Sequence, residues 1–220
     1  MDSFNRLITK TNKKERTDKK NEYIVIHYVG AVSSAMNNAK YFEKVYRGAS
    51  AHYFVDEKSI WQVVEDKDDA WHVGTNKGYK NNVRNSNSIG IELCCKNNGD
   101  WYFEKETIDN AVWLTSELCK KYKINPRTNI FRHYDCTGKI CPEPFIRNPK
   151  DWEDFLQRVI NEVETMFVDE TKALDYLVEK GRITNRDYWD KALVVTKNLN
   201  FLIIKWANDV RELEMKNGLV

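Results

Sequence analysis

Short apolar runs separated by polar turns occupy the chain from residue 23 to residue 133. The runs are rich in β-branched and aromatic residues and are bounded by turn-forming residues, which is typical of buried strands. We therefore predict strands at Tyr23–Tyr28, Ser50–Val55, Ile60–Val64, Ser88–Cys95 and Asn129–His133.

Apolar residues at intervals of three and four lie between and after these strands, which indicates helices. They predict a helix over Ala39–Tyr46, a long helix over Ile108–Tyr122 and a third over Pro149–Val163. Proline suits the first position of a helix, which supports the start of the third. Strands mixed with helices predict an α/β fold, in which a central mixed β-sheet is flanked by helices.

After Phe167 every periodic signal is helical. One short helix is predicted around Leu174 and Leu177, and a longer one from Thr184 to Val210. Since two helices bury their own apolar faces poorly, this part must pack on the main domain, on a third helix or on another chain. We therefore divide the chain into an N-terminal arm, a main domain and a C-terminal helical module, at residues 1–20, 21–167 and 168–220.

The N-terminal arm is basic, with seven lysines and arginines against three acidic residues. It shows no sustained apolar period, which favours a solvated arm. Adhesion to an anionic envelope or surface is the alternative.

The composition excludes several classes of protein. An apolar share of 41% with 31% charged residues is that of an ordinary globular protein, and a net charge of +2 does not favour a strong polyanion binder. No stretch approaches the roughly 18 apolar residues of a membrane span. The polar N-terminus has no apolar signal-peptide core, so we expect synthesis in the cytoplasm.

Five cysteines at irregular spacing argue against a disulfide framework. Cys94 and Cys95 continue a predicted strand and Cys119 lies in a predicted helix, so we expect these three to be core thiols. One or more of the remaining thiols could bind a metal.

A histidine and a cysteine eight residues apart suggest such a site. His133 ends a predicted strand and Cys141 follows across a loop, which lets both side chains meet one ion. His27, at the end of another strand, could be a third ligand. Three nitrogen and sulfur ligands with an open fourth position are typical of catalytic zinc. The spacing alone is a weak signal, and by itself it favours a satisfied histidine beside a buried thiol.

Ordered motifs give the chain a family resemblance from about residue 21 to residue 165. The motifs are Ile24–Tyr28, Ala51–Val55, Trp71–Gly74, Ser88–Leu93 and the closing residues His133, Lys139, Cys141 and Pro142. With these motifs in this order, the chain resembles the type 2 N-acetylmuramoyl-alanine amidases of phages and bacteria, relatives of the animal peptidoglycan-recognition proteins. One departure is the pair Glu143-Pro144, where many members have glycine, which puts the shape of that loop in doubt.

The resemblance implies one zinc ion per chain, held by His27, His133 and Cys141. It assigns the thiolate role to Cys141, so Cys136 is expected to be a packing residue. It also implies hydrolysis of the amide between N-acetylmuramic acid and L-alanine in peptidoglycan, followed by cell lysis. An enzyme of this kind would act on the wall after its release from the cytoplasm, by a holin or by lysis.

Two further residues take catalytic roles from the resemblance. Glu92 matches the catalytic carboxylate of the family, although strand alternation alone would make it a solvent-facing residue. Lys139 matches a cation that could stabilise an oxyanion, although by itself it reads as one more surface lysine.

Four residues are candidate substrate contacts. Tyr28 and Trp71 suit the aromatic wall of a sugar and peptide site, and His72 lies beside Trp71 in a polar loop. His52 is a weaker candidate, since a satisfied core histidine explains it as well.

Two rival functions are a peptidoglycan-binding module and a nucleic-acid binder. The domain could be a peptidoglycan-binding module without activity, although such proteins tend to lose the cysteine ligand. No recognisable motif supports nucleic-acid binding. Residues 168–220 resemble helical tails of some clostridial amidases, and we expect a wall-targeting or dimerising module, giving a homodimer in the second case, rather than a brace for the catalytic domain.

Overall fold

The computed structural model describes residues 3–17, 20–74, 82–163, 170–195 and 199–217. The chain divides into two compact units, residues 1–163 and residues 164–220. The boundary predicted after residue 167 falls in 164–169, outside the described residues.

A mixed β-sheet forms the centre of the first unit, as predicted. Its strands are β1 (Ser3–Arg6), β3 (Tyr23–Val32), β4 (Tyr53–Val55), β5 (Ser59–Gln62), β7 (Ser88–Asn97), β8 (Trp101–Tyr102) and β9 (Ile130–Arg132), and a separate pair is formed by β2 (Lys14–Glu15) and β6 (Asp68–Asp69). Within the described residues the strands of the sheet run in the order β1-β5-β4-β7-β3-β9, and β8 pairs with β7. The neighbours β4, β7, β3 and β9 are parallel, whereas β5 is antiparallel to β4.

Helices cover both faces of this sheet, which confirms the predicted fold class. In chain order the helices of this unit are α1 (Ala35–Glu43), α2 (Lys105–Tyr122), α3 (His133–Thr137), α4 (Glu143–Arg147) and α5 (Pro149–Val163). The two long helices α2 and α5 pack against each other and against the main core.

Alternation along β3 and β7 separates the core from the functional face. Ile24 and Ile26 join the main core together with Ile89, Ile91 and other apolar residues from α2 and α5. Successive side chains of a strand point to opposite faces. His27 and its register partner Glu92 therefore lie on the other face of the sheet.

The prediction of a solvated N-terminal arm is wrong. β1 pairs with β5, β2 pairs with β6, and Thr9, Asn12 and Arg16 are all buried. Three of its basic side chains also contact acidic residues of the same unit, in the pairs Arg6–Glu65, Lys13–Asp68 and Arg16–Asp69.

Arg16 fastens this segment to the sheet. Its side chain is inaccessible to solvent and its Nε donates to Asp69 Oδ1 at 2.9 Å. The remaining guanidinium N–H groups donate to the Asn21 side chain and to the carbonyls of Lys20, Asp68, Asn85 and Ser88. A buried cation is stable only with such a full set of partners.

The second unit forms a core of its own. It contains α6 (Glu170–Glu179), α7 (Arg186–Val195) and α8 (Leu199–Lys216), so the single helix predicted from Thr184 to Val210 is wrong. Trp189 of α7 packs against a core that α6, the segment after it and α8 contribute, with the buried residues Ala173, Leu174, Leu177, Ile183, Ile203, Ala207 and Val210. None of the described helices combines the length and apolar character that a membrane span needs.

We expect Arg16→Ala to lower the free energy of unfolding by about 3–5 kcal/mol, because it removes a buried cation from the carboxylate that it contacts. Arg6→Ala is the matched control, since Arg6 pairs with Glu65 on the exposed side of the same segment. Its effect should stay below about 1 kcal/mol. Equal effects of the two substitutions in a urea titration would contradict the assignment of Arg16 as the anchor.

Candidate metal centre

The functional face is built where three parallel strands lie side by side. The register pairs His27 of β3 with Glu92 of β7, and Ile26 with Arg132 of β9. His133 directly follows Arg132, so it continues the row beside His27. The centroids of the two imidazole rings lie 4.7 Å apart.

A turn of helix brings Cys141 back to this row. α3 begins at His133 and ends at Thr137, and the next residue is Gly138, whose φ of 81° is readily adopted only by glycine. The N–H of Tyr134 then donates to the Cys141 carbonyl at 2.8 Å, which closes the loop. The spacing of eight residues seen in the sequence is therefore the length of this closed turn.

His27, His133 and Cys141 form a buried group with the composition of a metal site. One ligand atom from each lies within 4.8 Å of the other two, and the Cys141 Sγ is 3.7 Å from the His27 Nδ1. The His133 Nε2–H donates to the Val73 carbonyl at 3.1 Å, while its Nδ1 is buried and has no hydrogen-bond partner in the described part of the chain. A bound cation would satisfy that nitrogen.

The protonation states of the three side chains fit this role. Burial, reinforced by the Lys139 ammonium, lowers the pKa of His133 to about 4. The pKa of His27 is likewise lowered, first by burial and then by the neighbouring histidines. Both imidazoles are therefore neutral, as metal ligands must be. Burial raises the pKa of Cys141 to about 12, so the thiol needs a cation to lose its proton at neutral pH. Two nitrogens and one sulfur suit zinc.

Glu92 places a carboxyl group beside these ligands. Its Oε2 is buried without a hydrogen-bond partner within the described residues. Burial raises the pKa of Glu92 to about 8, and the Lys139 ammonium opposes this shift. A buried carboxyl whose pKa lies near neutrality can both accept and release a proton in the working range of pH.

Lys139 is exposed in the loop between α3 and Cys141. Its positive charge lowers the pKa of His27, of His133 and of Cys141, so it acts on all three candidate metal ligands. The structure thus brings Lys139 and Glu92 to the same group of side chains.

Two of the predicted substrate contacts lie at the surface of this region. The Tyr28 hydroxyl donates to Glu143 Oε2 at 3.0 Å, and burial, followed by this hydrogen bond, raises the pKa of Tyr28 to about 12. The Trp71 ring is partly exposed and meets the Tyr46 ring edge-on, with centroids 5.9 Å apart. Tyr46 and Glu143 were not singled out from the sequence as contacts, because exposed aromatic and acidic residues are common.

The two predicted histidine contacts are wrong. His52 is 0% exposed, its Nδ1 accepts from the Gly90 N–H at 3.0 Å and its Nε2 lies 3.1 Å from the Asp68 carbonyl. His72 is also buried, and both its ring nitrogens face protein atoms, on His27 and on Ser88. Neither ring has a nitrogen left for a substrate.

The cysteines outside the metal group are packing residues. Cys136 is fully buried in an apolar cluster with Val25, Val73 and Val83. Cys94, Cys95 and Cys119 are also buried, and all five cysteines of the chain are free thiols. The burial agrees with the expectation of core thiols.

A buried group of two histidines and a cysteine with a buried carboxyl beside it is typical of a metallohydrolase domain. The chain belongs to the N-acetylmuramoyl-L-alanine amidase family, whose model matches residues 17–144. The resemblance found in the sequence is thereby confirmed.

Curated relatives and solved structures agree with this placement. The N-acetylmuramoyl-L-alanine amidase CwlL of Bacillus licheniformis is 34% identical over 146 residues, which cover 62% of this chain and 40% of that protein. The amidase BlyA of Bacillus subtilis is 32% identical over 148 residues, covering 61% and 40%. The chain thus spans less than half the length of these relatives.

Among solved structures, the PlyG catalytic domain has a TM-score of 0.63 at 28% identity and covers 73% of this chain and 95% of that one. A mutant endolysin from Bacillus subtilis has a TM-score of 0.59 at 27% identity, covering 72% and 99%. In both cases the match extends over nearly the whole of the solved chain, which for PlyG is a catalytic domain.

Glu92→Gln is expected to stabilise the metal-free protein at pH 7. The folded state raises the pKa of Glu92 from its ordinary 4.5 to about 8. Between these values the unfolded chain releases a proton that the folded chain retains, so the carboxyl makes the protein less stable as pH rises. The gain in melting temperature should therefore be largest above pH 7 and vanish near pH 4.

The matched control is Glu153→Gln, on the exposed side of α5. We expect it to change the melting temperature little at either pH. A gain from Glu92→Gln that is the same at pH 4 and pH 8 would show that burial of the carboxylate is not its source.

Proposed function

We propose that the protein is a zinc-dependent N-acetylmuramoyl-L-alanine amidase, which hydrolyses the amide between N-acetylmuramic acid and L-alanine in bacterial peptidoglycan. The observation that carries the proposal is the buried group of His27, His133 and Cys141 next to Glu92, in a chain of this family. Wall lysis follows from cutting that amide, once the enzyme has been released from the cytoplasm.

Zinc would be held by His27 Nδ1, His133 Nδ1 and Cys141 Sγ, which leaves an open position. When bound, zinc supplies a Lewis acid that acidifies water and polarises a carbonyl group. The buried neutral imidazoles and the thiol present their lone pairs without competing solvent.

Glu92 is proposed as the general base and acid. It lies next to His27 in the row of side chains across the sheet. Its raised pKa lets it take a proton from water and pass that proton to the departing amide nitrogen. Without protonation the amine would be a poor leaving group.

Lys139 is proposed to stabilise the negative charge that forms on the carbonyl oxygen. Its charge reaches each ligand of the group, and a thiolate ligand leaves less positive charge on zinc than a third imidazole would. An added cation at the edge of the group therefore favours the transition state over the ground state.

The partly exposed rings of Tyr28 and Trp71 are proposed to contact the peptidoglycan. Tyr28 is held by Glu143, while Trp71 packs against Tyr46. Aromatic surfaces with a few polar groups suit a ligand made of sugars and amino acids.

A binding module without activity is the second candidate. It would need neither the zinc ligands nor Glu92, whereas this chain holds a buried carboxyl without a partner among the described residues, at an energetic cost. Such a cost is explained by catalysis and not by binding.

The C-terminal unit is proposed as a wall-targeting or dimerising module. It buries its own core, yet Val178, Tyr188, Trp206 and Leu213 remain exposed. Exposed large apolar side chains on a folded unit are candidates for contact with another molecule.

Purified cell walls test the catalytic proposal. The protein should release free amino groups without new reducing ends, lose this activity on chelation and regain it with Zn²⁺. Glu92→Ala should lower turnover by about 10²–10⁴-fold while zinc content stays at the parental level. Lys139→Ala should lower kcat more than it raises KM.

Lys150→Ala, on the exposed start of α5, is the control for loss of a surface cation and should leave turnover unchanged. Amine release by a verified metal-free protein, or by Glu92→Ala at the parental rate, would contradict the mechanism.

A chain ending at Val163 tests the module. The first unit has its own core, so we expect the shortened chain to stay folded and to cleave a small soluble muropeptide at the parental rate. It should lose potency on intact walls. A much lower melting temperature and an impaired active site in the shortened chain would contradict the proposal. The C-terminal helices would then serve to stabilise the catalytic domain.

A further inference from the structure

A chain of buried hydrogen bonds leads away from the metal group on the side of His27. His27 Nε2 lies 3.0 Å from His72 Nδ1, and His72 Nε2 lies 3.2 Å from Ser88 Oγ. The Ser88 hydroxyl in turn donates to the Arg84 carbonyl. The first two links join side chains that lie far apart in the sequence, on β3, in the loop after β6 and at the start of β7.

The Arg84 carbonyl, the last acceptor in this series of hydrogen bonds, determines which atom donates in each of them. The Arg84 carbonyl can only accept, so the Ser88 hydroxyl proton points at it. Ser88 Oγ must then accept the proton of His72 Nε2–H. A neutral imidazole carries one N–H, and the buried position of the His72 ring favours the neutral form. His72 Nδ1 is therefore an acceptor, and His27 must donate Nε2–H to it.

This direction determines which nitrogen of His27 is available to the metal. With the proton on Nε2, the lone pair stands on Nδ1, the atom that lies 3.7 Å from Cys141 Sγ. With the opposite tautomer of His72, either two N–H groups would face each other between the rings, or His27 would carry its proton on Nδ1, the nitrogen that faces Cys141. A histidine ligand whose second nitrogen is held in this way is pre-oriented for metal.

The same short segment orients the other imidazole. The carbonyl of Val73, the residue after His72, accepts from His133 Nε2–H at 3.1 Å. The Asn85 Oδ1 accepts from both N–H groups of the segment, at 3.1 Å from His72 N and 2.9 Å from Val73 N. Residues 72 and 73 thus face both imidazoles and are themselves held by one side chain.

Gly90 provides the space that the His72 ring occupies. A Cβ at residue 90 would come within 2.5 Å of the ring carbon Cγ and 2.7 Å of Nδ1. No real Cβ makes such a contact, so any larger residue would displace the ring. A glycine inside an otherwise apolar strand is typical of this kind of close approach.

We propose that His72 is a positioning residue that sets the tautomer of His27, and that the His72–Val73 segment, seated on Gly90, orients both imidazole ligands toward the metal. The inference rests on the metal site of the proposed function. It replaces the role of substrate contact for His72 and predicts an effect on zinc affinity that is independent of catalysis.

The first experiment uses the unaltered protein loaded with zinc. Long-range ¹H–¹⁵N correlation spectra of protein labelled with ¹⁵N-histidine report which ring nitrogen carries the proton. We expect Nε2–H on both His27 and His72. A proton on His72 Nδ1 would overturn the proposal. Zinc that binds without perturbing His27 would instead overturn the metal site, so the two failures are distinguishable.

The second experiment compares His72→Asn with His72→Leu. The two side chains have nearly the same shape, but only the Asn Oδ1 can accept the proton of His27 Nε2–H. Competition with a chromophoric chelator should show that Leu weakens zinc binding by about 10–100-fold, the usual loss for an outer-sphere partner, and that Asn weakens it far less. Equal losses would leave His72 as a packing residue and overturn the proposal.

Gly90→Ala is an independent variant, because it keeps every polar group and removes only the space for the ring. We expect it to weaken zinc binding in the same direction as His72→Leu, with a matching change in the ¹⁵N signals of His27. Parental zinc affinity and parental ¹⁵N signals in Gly90→Ala would contradict the role given to Gly90.

Discussion

The parallel register of β4, β7, β3 and β9 is the constraint on which the site depends. Because these strands are hydrogen-bonded in register, Glu92, His27 and the residue that follows β9 lie in one row. A shift by one residue would turn His27 and Glu92 into the apolar core. The apolar side chains of the opposite face, packed on α2 and α5, exclude that shift, so the core specifies the geometry of the site.

Burial of the site shifts the pKa values of its side chains and also lowers the stability of the fold. Removing water lowers the pKa of the imidazoles, raises the pKa of Glu92 and Cys141, and leaves His133 Nδ1 and Glu92 Oε2 without partners within the described chain. These are costs to stability that a bound cation and a polar substrate would offset. A site that is costly when empty is consistent with ligands that stabilise the fold on binding.

The sequence predicted the elements that carry long apolar patterns, and missed those that do not. β3, β7, α2 and α5 were predicted because their core faces are continuous. β1 and β2 are four and two residues long and mostly charged or polar, and their pairing depends on partners distant in the chain, while β8 has only two residues. Arg16 illustrates the limit: its residue type predicts exposure, and only the carbonyls that the fold collects around it make burial favourable.

The role of His72 shows what pattern alone cannot decide between buried histidines. His27, His52, His72 and His133 are the same residue type at low exposure, and they differ only in what their two nitrogens face. One signal was nevertheless present in the sequence, since Gly90 interrupts an apolar strand where a side chain would be favoured. A glycine there is explained if another group must lie against the backbone, and in the structure that group is the His72 ring, which contacts His27. The strand that carries Glu92 therefore also carries, two residues earlier, the glycine that leaves space for this ring.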